Sequence, residues 1–187
     1  RHPPHPNVRG TSGSMTKTLR FETIDLVKHW SLLISISKET YRDSHASEES
    51  IRKLISEDGQ KRYRSFLQER IDSFPEGTVF AFLEDEVVAQ LSVRYGPKEF
   101  ENYRMDEDEG YVNLFYVAPK HRGTFVTNAL DQYMVDYLTS KGCTWVRLTV
   151  NKDNARALAY YKKRGWVDDG PRDEARGTRF MKRTFEC

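Results

Sequence analysis

Residues Tyr116 to Leu130 read YVAPKHRGTFVTNAL, a strand pattern that passes through Pro119 into a basic turn and on into a helix. In that turn Arg122 is a permanent positive charge, Gly123 is the lone glycine, and Thr124 and Thr127 add hydroxyl donors. A helix starting after such a turn presents unpaired backbone N–H groups and the positive end of its dipole. That arrangement suits an anion such as a diphosphate. Further on, VRLTVNKDNARALAYYKKRGW is a second strand leading into a second helix. Asn154, Ala157 or Leu158, and Tyr161 fall three to four apart there, so they share one helix face. Each feature also has a plain structural reading, a connection in the first case and a helix-packing tyrosine in the second.

The rest of the chain must supply the scaffold. TKTLRFETI is a strand candidate, and Asp25 is placed to cap a helix carrying Leu26, Trp30, Leu33, Ile34 and Tyr41 at helical spacing. A second helix is expected from about Glu48 to Phe74, broken at Gly59. TVFAFLEDEVVAQLSV reads as a hairpin turning at Glu84–Asp85–Glu86. After a polar loop, YVNLFYV is a strand with Val112, Leu114 and Tyr116 on one face and Tyr111, Asn113 and Phe115 on the other. Ala129, Leu130, Tyr133, Met134, Tyr137 and Leu138 form the apolar stripe of the helix that follows. Gly142 stops it, CTWVRLTV is a strand, and the next helix has Asp153 as a plausible cap and Gly165 at its C′ position. GWVDDG and TRFMKRTF read as closing strands, with no internal repeat.

The composition suits a globular domain, with 37% hydrophobic and 31% charged residues in 187 and no stretch apolar enough for a membrane span. The formal net charge is +2, which Arg1 and Arg9 account for, so the remainder is neutral and offers no electrostatic footprint for nucleic acid. Residues 1–14, RHPPHPNVRGTSGS, lack hydrophobic periodicity and are expected to be a disordered leader, with Met15 as the natural start and 15–187 as one domain. They also lack the apolar core of a signal peptide, so a cytoplasmic location is expected. Cys143 and Cys187 have no zinc-type spacing, and the histidines are scattered. No metal is expected.

Val117–Ala118–Pro119, followed by the turn from Arg122 to Thr127, resembles the V-x-P and R/Q-x-x-G-x-G/A elements of the GNAT superfamily of acetyl-CoA-dependent N-acetyltransferases. Asn154, Ala157, Tyr161, Gly165 and Trp166 complete a second element similar to that family's N-x-x-A-x-x-x-Y-x-x-x-G-F/W. The resemblance runs from Met15 to the end. It implies an α/β (α+β) GNAT-like single domain, with a mixed, mostly antiparallel sheet of about six to seven strands and about four helices. Phe125 and Thr127 depart from the pattern, standing where the family has small residues that admit the pyrophosphate.

The resemblance further implies acetyl-CoA as co-substrate and the primary amine of a small molecule (a polyamine, amino sugar or amino-acid-like compound) as acceptor. Cofactor contacts would come from Phe115, Tyr116 and Val117 at the strand end, from Arg122, Gly123, Thr124, Phe125, Val126 and Thr127 in the turn, and from Asn154. The strand ending in Val117 would offer a backbone N–H to the thioester carbonyl, and Tyr161 would protonate the departing thiolate. The family's usual glutamate position falls near Tyr111, so Glu109, two residues earlier, is the candidate base, acting through water. Tyr41 and Asn113 are candidates for the substrate side. The competing reading is a non-catalytic acyl-CoA- or partner-binding module with a degenerate phosphate turn, and self-association into a homodimer stays open.

Overall fold

The computed structural model describes residues 8–12, 15–100 and 103–186. The first half of the chain holds strands β1 (Val8–Ser12) and β2 (Met15–Thr23), helices α1 (Trp30–Asp43), α2 (Glu48–Ile55) and α3 (Glu57–Ser73), and strands β3 (Thr78–Leu83) and β4 (Glu86–Tyr95). Then follow β5 (Lys98–Phe100), β6 (Tyr103–Met105), β7 (Glu109–Val117), α4 (Phe125–Ser140), β8 (Trp145–Asn151), α5 (Ala155–Lys163), β9 (Val167–Asp173) and β10 (Thr178–Thr184). The seven stretches whose patterns predict strands all form them, as β2, β3, β4 and β7 to β10. The chain divides into two compact units. One takes the chain up to Ile24 with Arg70–Thr144, the other Asp25–Glu69 with Trp145–Cys187.

In the first unit β1, β2, β3, β4 and β7 follow one another as antiparallel neighbours. The β3–β4 hairpin closes with Leu83 opposite Glu86, and Glu84 takes the left-handed conformation at φ 56. One stripe of α4 supplies the core: Ala129, Leu130, Tyr133, Met134, Tyr137 and Leu138 are all buried. The Tyr133 ring stacks on Phe21 at 4.1 Å, and its hydroxyl donates to the Glu76 carbonyl at 2.7 Å. A Cβ on Gly110 would lie 2.8 Å from a Leu138 methyl, so this glycine lets β7 run close beneath α4. Truncating a residue such as Leu130 to alanine would cost about 2–5 kcal/mol.

Two expectations in this unit are corrected. The presumed disordered leader is structured over Val8–Ser12, where β1 pairs with β2, Val8 opposite Leu19 and Ser12 opposite Met15. An open sheet edge accepts a strand through backbone groups alone, so the absence of apolar alternation did not prevent it. Residues 1–7 and 13–14 lie outside the described residues. The polar loop before β7 also contains a short antiparallel ladder, β5 with β6.

The second unit holds α1, α2, most of α3, α5 and the antiparallel strands β8, β10 and β9. Asp25 does not cap α1. Its Oδ1 accepts from Val27 and Lys28 N–H at 3.0 Å each, closing a turn before the helix starts at Trp30. The expected long second helix is two, which gives five α-helices rather than about four among the described residues. The break falls at Ser56, not at Gly59. Ser56 is extended at ψ 160, its backbone N–H donates to the Arg52 carbonyl, and its hydroxyl oxygen accepts from Gly59 N–H at 3.1 Å. Gly59 matters differently: a Cβ there would lie 1.8 Å from the Lys53 carbonyl oxygen, so it permits the close approach of the two helix ends. Among the described residues no helix is long and apolar enough to cross a membrane.

Candidate active site

Strand β7 is irregular where chemistry was expected. Ser92 pairs with Leu114 but Val93 pairs with Val112, so Asn113 is an extra residue in the ladder, a β-bulge. Cross-strand partners share a face, and the bulge therefore puts Val112 on the opposite face from Leu114 and Tyr116. The simple alternation predicted for this strand is overturned at that point. Phe115 likewise leaves the face of Tyr111, while Asn113 is exposed.

Ala118 N–H donates to the Val88 carbonyl at 2.9 Å, and hydrogen-bonded pairs alternate along an antiparallel ladder. Val117 and Phe115 therefore direct their N–H and C=O groups away from β4. Arg122 Nε donates to the Val117 carbonyl at 3.0 Å, tying the turn to the strand end, and the guanidinium lies 6.0 Å from the centroid of the Tyr116 ring. Lys120 Nζ reaches Glu86 Oε1 at 2.6 Å, with Lys120 foremost in holding that exposed carboxyl below its ordinary pKa.

The turn needs its glycine for conformation. Gly123 has φ 71, although a Cβ there would meet nothing within 4 Å. Thr124 is the N-cap of α4: its hydroxyl accepts from Val126 N–H at 3.3 Å and donates to the His121 carbonyl. Gly123 and Thr124 are exposed, Phe125 is half-buried in the first helical position, and Val126 and Thr127 are buried. The amides of Gly123 and Phe125 have no acceptor among the described residues. An open helix N-terminus with unpaired amides fits a diphosphate.

Glu109 is part of β7, buried at 1% exposure, and not a member of a solvated loop. Its Oε2 accepts from Asp106 N–H at 3.0 Å. It shares a face with Tyr111, whose ring lies 5.0 Å under the Arg94 guanidinium. Asp106 and Glu107 beside it are exposed.

In the second unit the motif residues have clear folding roles. Asn154, not Asp153, is the N-cap of α5: its Oδ1 accepts from Ala157 N–H at 3.2 Å, and its amide donates to the Asp43 carbonyl at 3.5 Å. Gly165, at φ 87, ends the helix. Its N–H donates to the Lys162 carbonyl at 3.2 Å and that of Trp166 to the Tyr161 carbonyl at 3.0 Å, the pairing of a Schellman motif. The Tyr161 hydroxyl is a different matter, having no hydrogen-bond partner among the described residues. Burial first, and then Tyr160, pushes its pKa up to about 12. Tyr41 is exposed near the C-terminal end of α1. Cys143 is buried, and desolvation, with Asp108 and Glu109, pushes its thiol up to about 11, which leaves it unreactive. No group of His, Cys, Asp and Glu among the described residues could hold a metal ion.

Sequence reading missed the polar row Gln90, Ser92 and Arg94 on β4. All three are buried. Their spacing of two was the available signal, since it puts them on one strand face.

A model of the acetyltransferase (GNAT) family matches residues 37–166, well over half of the chain. The chain belongs to the GNAT acetyltransferase family. No curated protein matches the sequence of this acetyltransferase. Its fold is similar to that of the PaiA N-acetyltransferase from Thermoplasma acidophilum in complex with coenzyme A, with TM-score 0.68 and 16% identity over 89% of this chain and 99% of that one. It is also similar to a ribosomal-protein-alanine N-acetyltransferase from Brucella melitensis, with TM-score 0.60 and 18% identity over 88% and 99% of the two chains. Naa50 from Arabidopsis thaliana, in complex with the bisubstrate analogue CoA-Ac-MVNAL, gives TM-score 0.56 and 17% identity over 89% and 99%. The α/β fold with mostly antiparallel strands is that of the family, and acetyl-CoA is its co-substrate.

Proposed function

We propose that this acetyltransferase acetylates the primary amine of a small molecule by direct transfer, with Tyr161 as the general acid. The observation that carries the reading is the Tyr161 hydroxyl, which has no protein partner among the described residues. A phenol kept neutral at working pH can donate to a departing thiolate.

Acetyl-CoA supplies the acetyl group as a thioester. The amine nitrogen forms a bond to its carbonyl carbon, the C–S bond breaks, the thiolate takes the Tyr161 proton, and the proton that the nitrogen sheds on becoming an amide restores the phenol through solvent. The N–H groups of Phe115 and Val117, directed away from β4, are the donors for the carbonyl oxygen as it gains charge. The open N-terminus of α4, with Gly123 to Thr127, holds the diphosphate, and Arg122 keeps that turn on the strand end through Val117. Asn154 holds the start of α5 and adds a cofactor contact from there.

The acceptor must also lose a proton. An amine of pKa about 10.4 is neutral in only about one molecule in 2,500 at pH 7, equivalent to roughly 4.6 kcal/mol. Glu109 draws that proton away through water, and the exposed Asp106 and Glu107 next to it attract a cationic acceptor. Asn113 at the bulge and Tyr41 complete the substrate side.

The test is release of the CoA thiol on mixing the protein and acetyl-CoA with spermidine, glucosamine and amino-acid derivatives in turn. Turnover above the background hydrolysis of acetyl-CoA is expected with at least one amine. Saturable acetyl-CoA binding without turnover on any of them would overturn the small-amine reading.

A further inference from the structure

Strand β4 carries polar side chains that acetyl transfer as described does not use. By register Gln90 shares a face with Tyr116, and Ser92 shares it with Leu114 and Thr78. This is also the face of Arg94, Tyr111 and Glu109. Gln90 is 0% exposed and Ser92 2% exposed. Both polar atoms of the Gln90 amide, and the Ser92 hydroxyl, lack a hydrogen-bond partner among the described residues. Buried polar groups are nearly always paired, so an unpaired carboxamide and hydroxyl side by side on one strand face require an explanation. Packing does not supply one, because Leu91 and Val93 show that this strand is readily filled by apolar residues on its other face.

Their position does supply one. Gln90 and Ser92 flank Leu91, and Leu91 is the cross-strand partner of Phe115, whose N–H points away from β4. The unpaired groups therefore lie on the strand next to the one that carries the proposed carbonyl donors, on the face of Tyr116.

We propose that Gln90 and Ser92 recognise the acceptor, and that the acceptor is an amine bearing a carboxamide or peptide group. This rests on the amine-acetylation reading above. A glutamine side chain offers an acceptor oxygen and a donor nitrogen together. A polyammonium chain has only donors and would leave the Gln90 nitrogen unpaired. A carboxylate has only acceptors and would leave the oxygen unpaired. An amide satisfies both atoms, and the Ser92 hydroxyl adds a further donor or acceptor.

The experiment compares L-alaninamide with isopropylamine, which lacks the carboxamide, as acceptors for wild type, Gln90→Met and Ser92→Ala. The readout is the ratio of their kcat/KM values, because the different basicities of the two amines cancel between proteins. Gln90→Met should lower the ratio at least about tenfold, through KM for L-alaninamide, with isopropylamine unchanged. An equal change for both amines, or none, would overturn the proposal. Should Gln90→Met fail to fold, Ser92→Ala makes the same comparison. Should wild type acetylate neither amine, the reaction reading has failed separately, and a thermal shift of the CoA-bound protein decides: stabilisation by L-alaninamide alone, lost in the variant, supports recognition, and no difference between the amines rejects it.

Discussion

The backbone N–H of Trp166 donates to the Tyr161 carbonyl at 3.0 Å, and the two rings lie 5.6 Å apart. One contact thus ends α5 and holds the Tyr161 ring, leaving its hydroxyl without a partner among the described residues. Folding and the proposed chemistry share this residue, and the two uses can be separated by substitution.

The folding use depends on Gly165. Its φ of 87 is strained for any side chain, although a Cβ would meet no atom within 4 Å. Gly165→Ala should therefore destabilise the protein by about 1–2 kcal/mol. For a chain of this size that is a drop of roughly 2–8 °C in Tm, measurable by calorimetry. An unchanged Tm would show that the helix end relaxes freely.

Stability should fall at alkaline pH. An unfolded tyrosine ionises near about pH 10, whereas burial pushes Tyr161 up to about 12. Below the unfolded pKa both states are protonated and the contribution is fully present. Between the two pKa values the unfolded chain has lost a proton that the folded protein retains, so stability declines as pH rises through the folded value. Desolvation raises Tyr133 and Tyr137 in the same direction. Tm measured from pH 8 to 12 should decline above about pH 10, and less steeply in Tyr161→Phe. Identical slopes would contradict the raised pKa of Tyr161.

The turn proposed to hold the diphosphate makes a third prediction. Phe125 occupies the first position of α4, half-buried, where the family has glycine. If the ring crowds the diphosphate, Phe125→Gly should bind CoA more tightly in calorimetry while lowering Tm, since glycine adds entropy to the unfolded chain. Weaker binding would mean that the ring is a positive contact.

Much of this was legible in the sequence. The α4 stripe, the β3–β4 hairpin and the strand–turn–helix at Arg122 follow from periodicity and turn chemistry, because buried faces must repeat at the period of their element. What periodicity could not show was the bulge at Asn113, since inserting one residue in a ladder leaves no mark in composition. Nor could it choose between neighbouring polar residues for a cap: Asn154 rather than Asp153, and Ser56 rather than Gly59 at the break between α2 and α3. Gln90 and Ser92 looked like ordinary strand residues, because whether a polar side chain is paired depends on neighbours distant in the chain.

The central claim is that the Tyr161 hydroxyl protonates the leaving thiolate. Tyr161→Phe keeps the ring against Trp166 and removes only that hydroxyl, so Tm at neutral pH and CoA affinity should barely change. The decisive measurement is the rate of CoA thiol release with an accepted amine, wild type against Tyr161→Phe, at equal acetyl-CoA occupancy. The account predicts a fall of about 10²–10⁴-fold in the variant. A variant as active as wild type would contradict it.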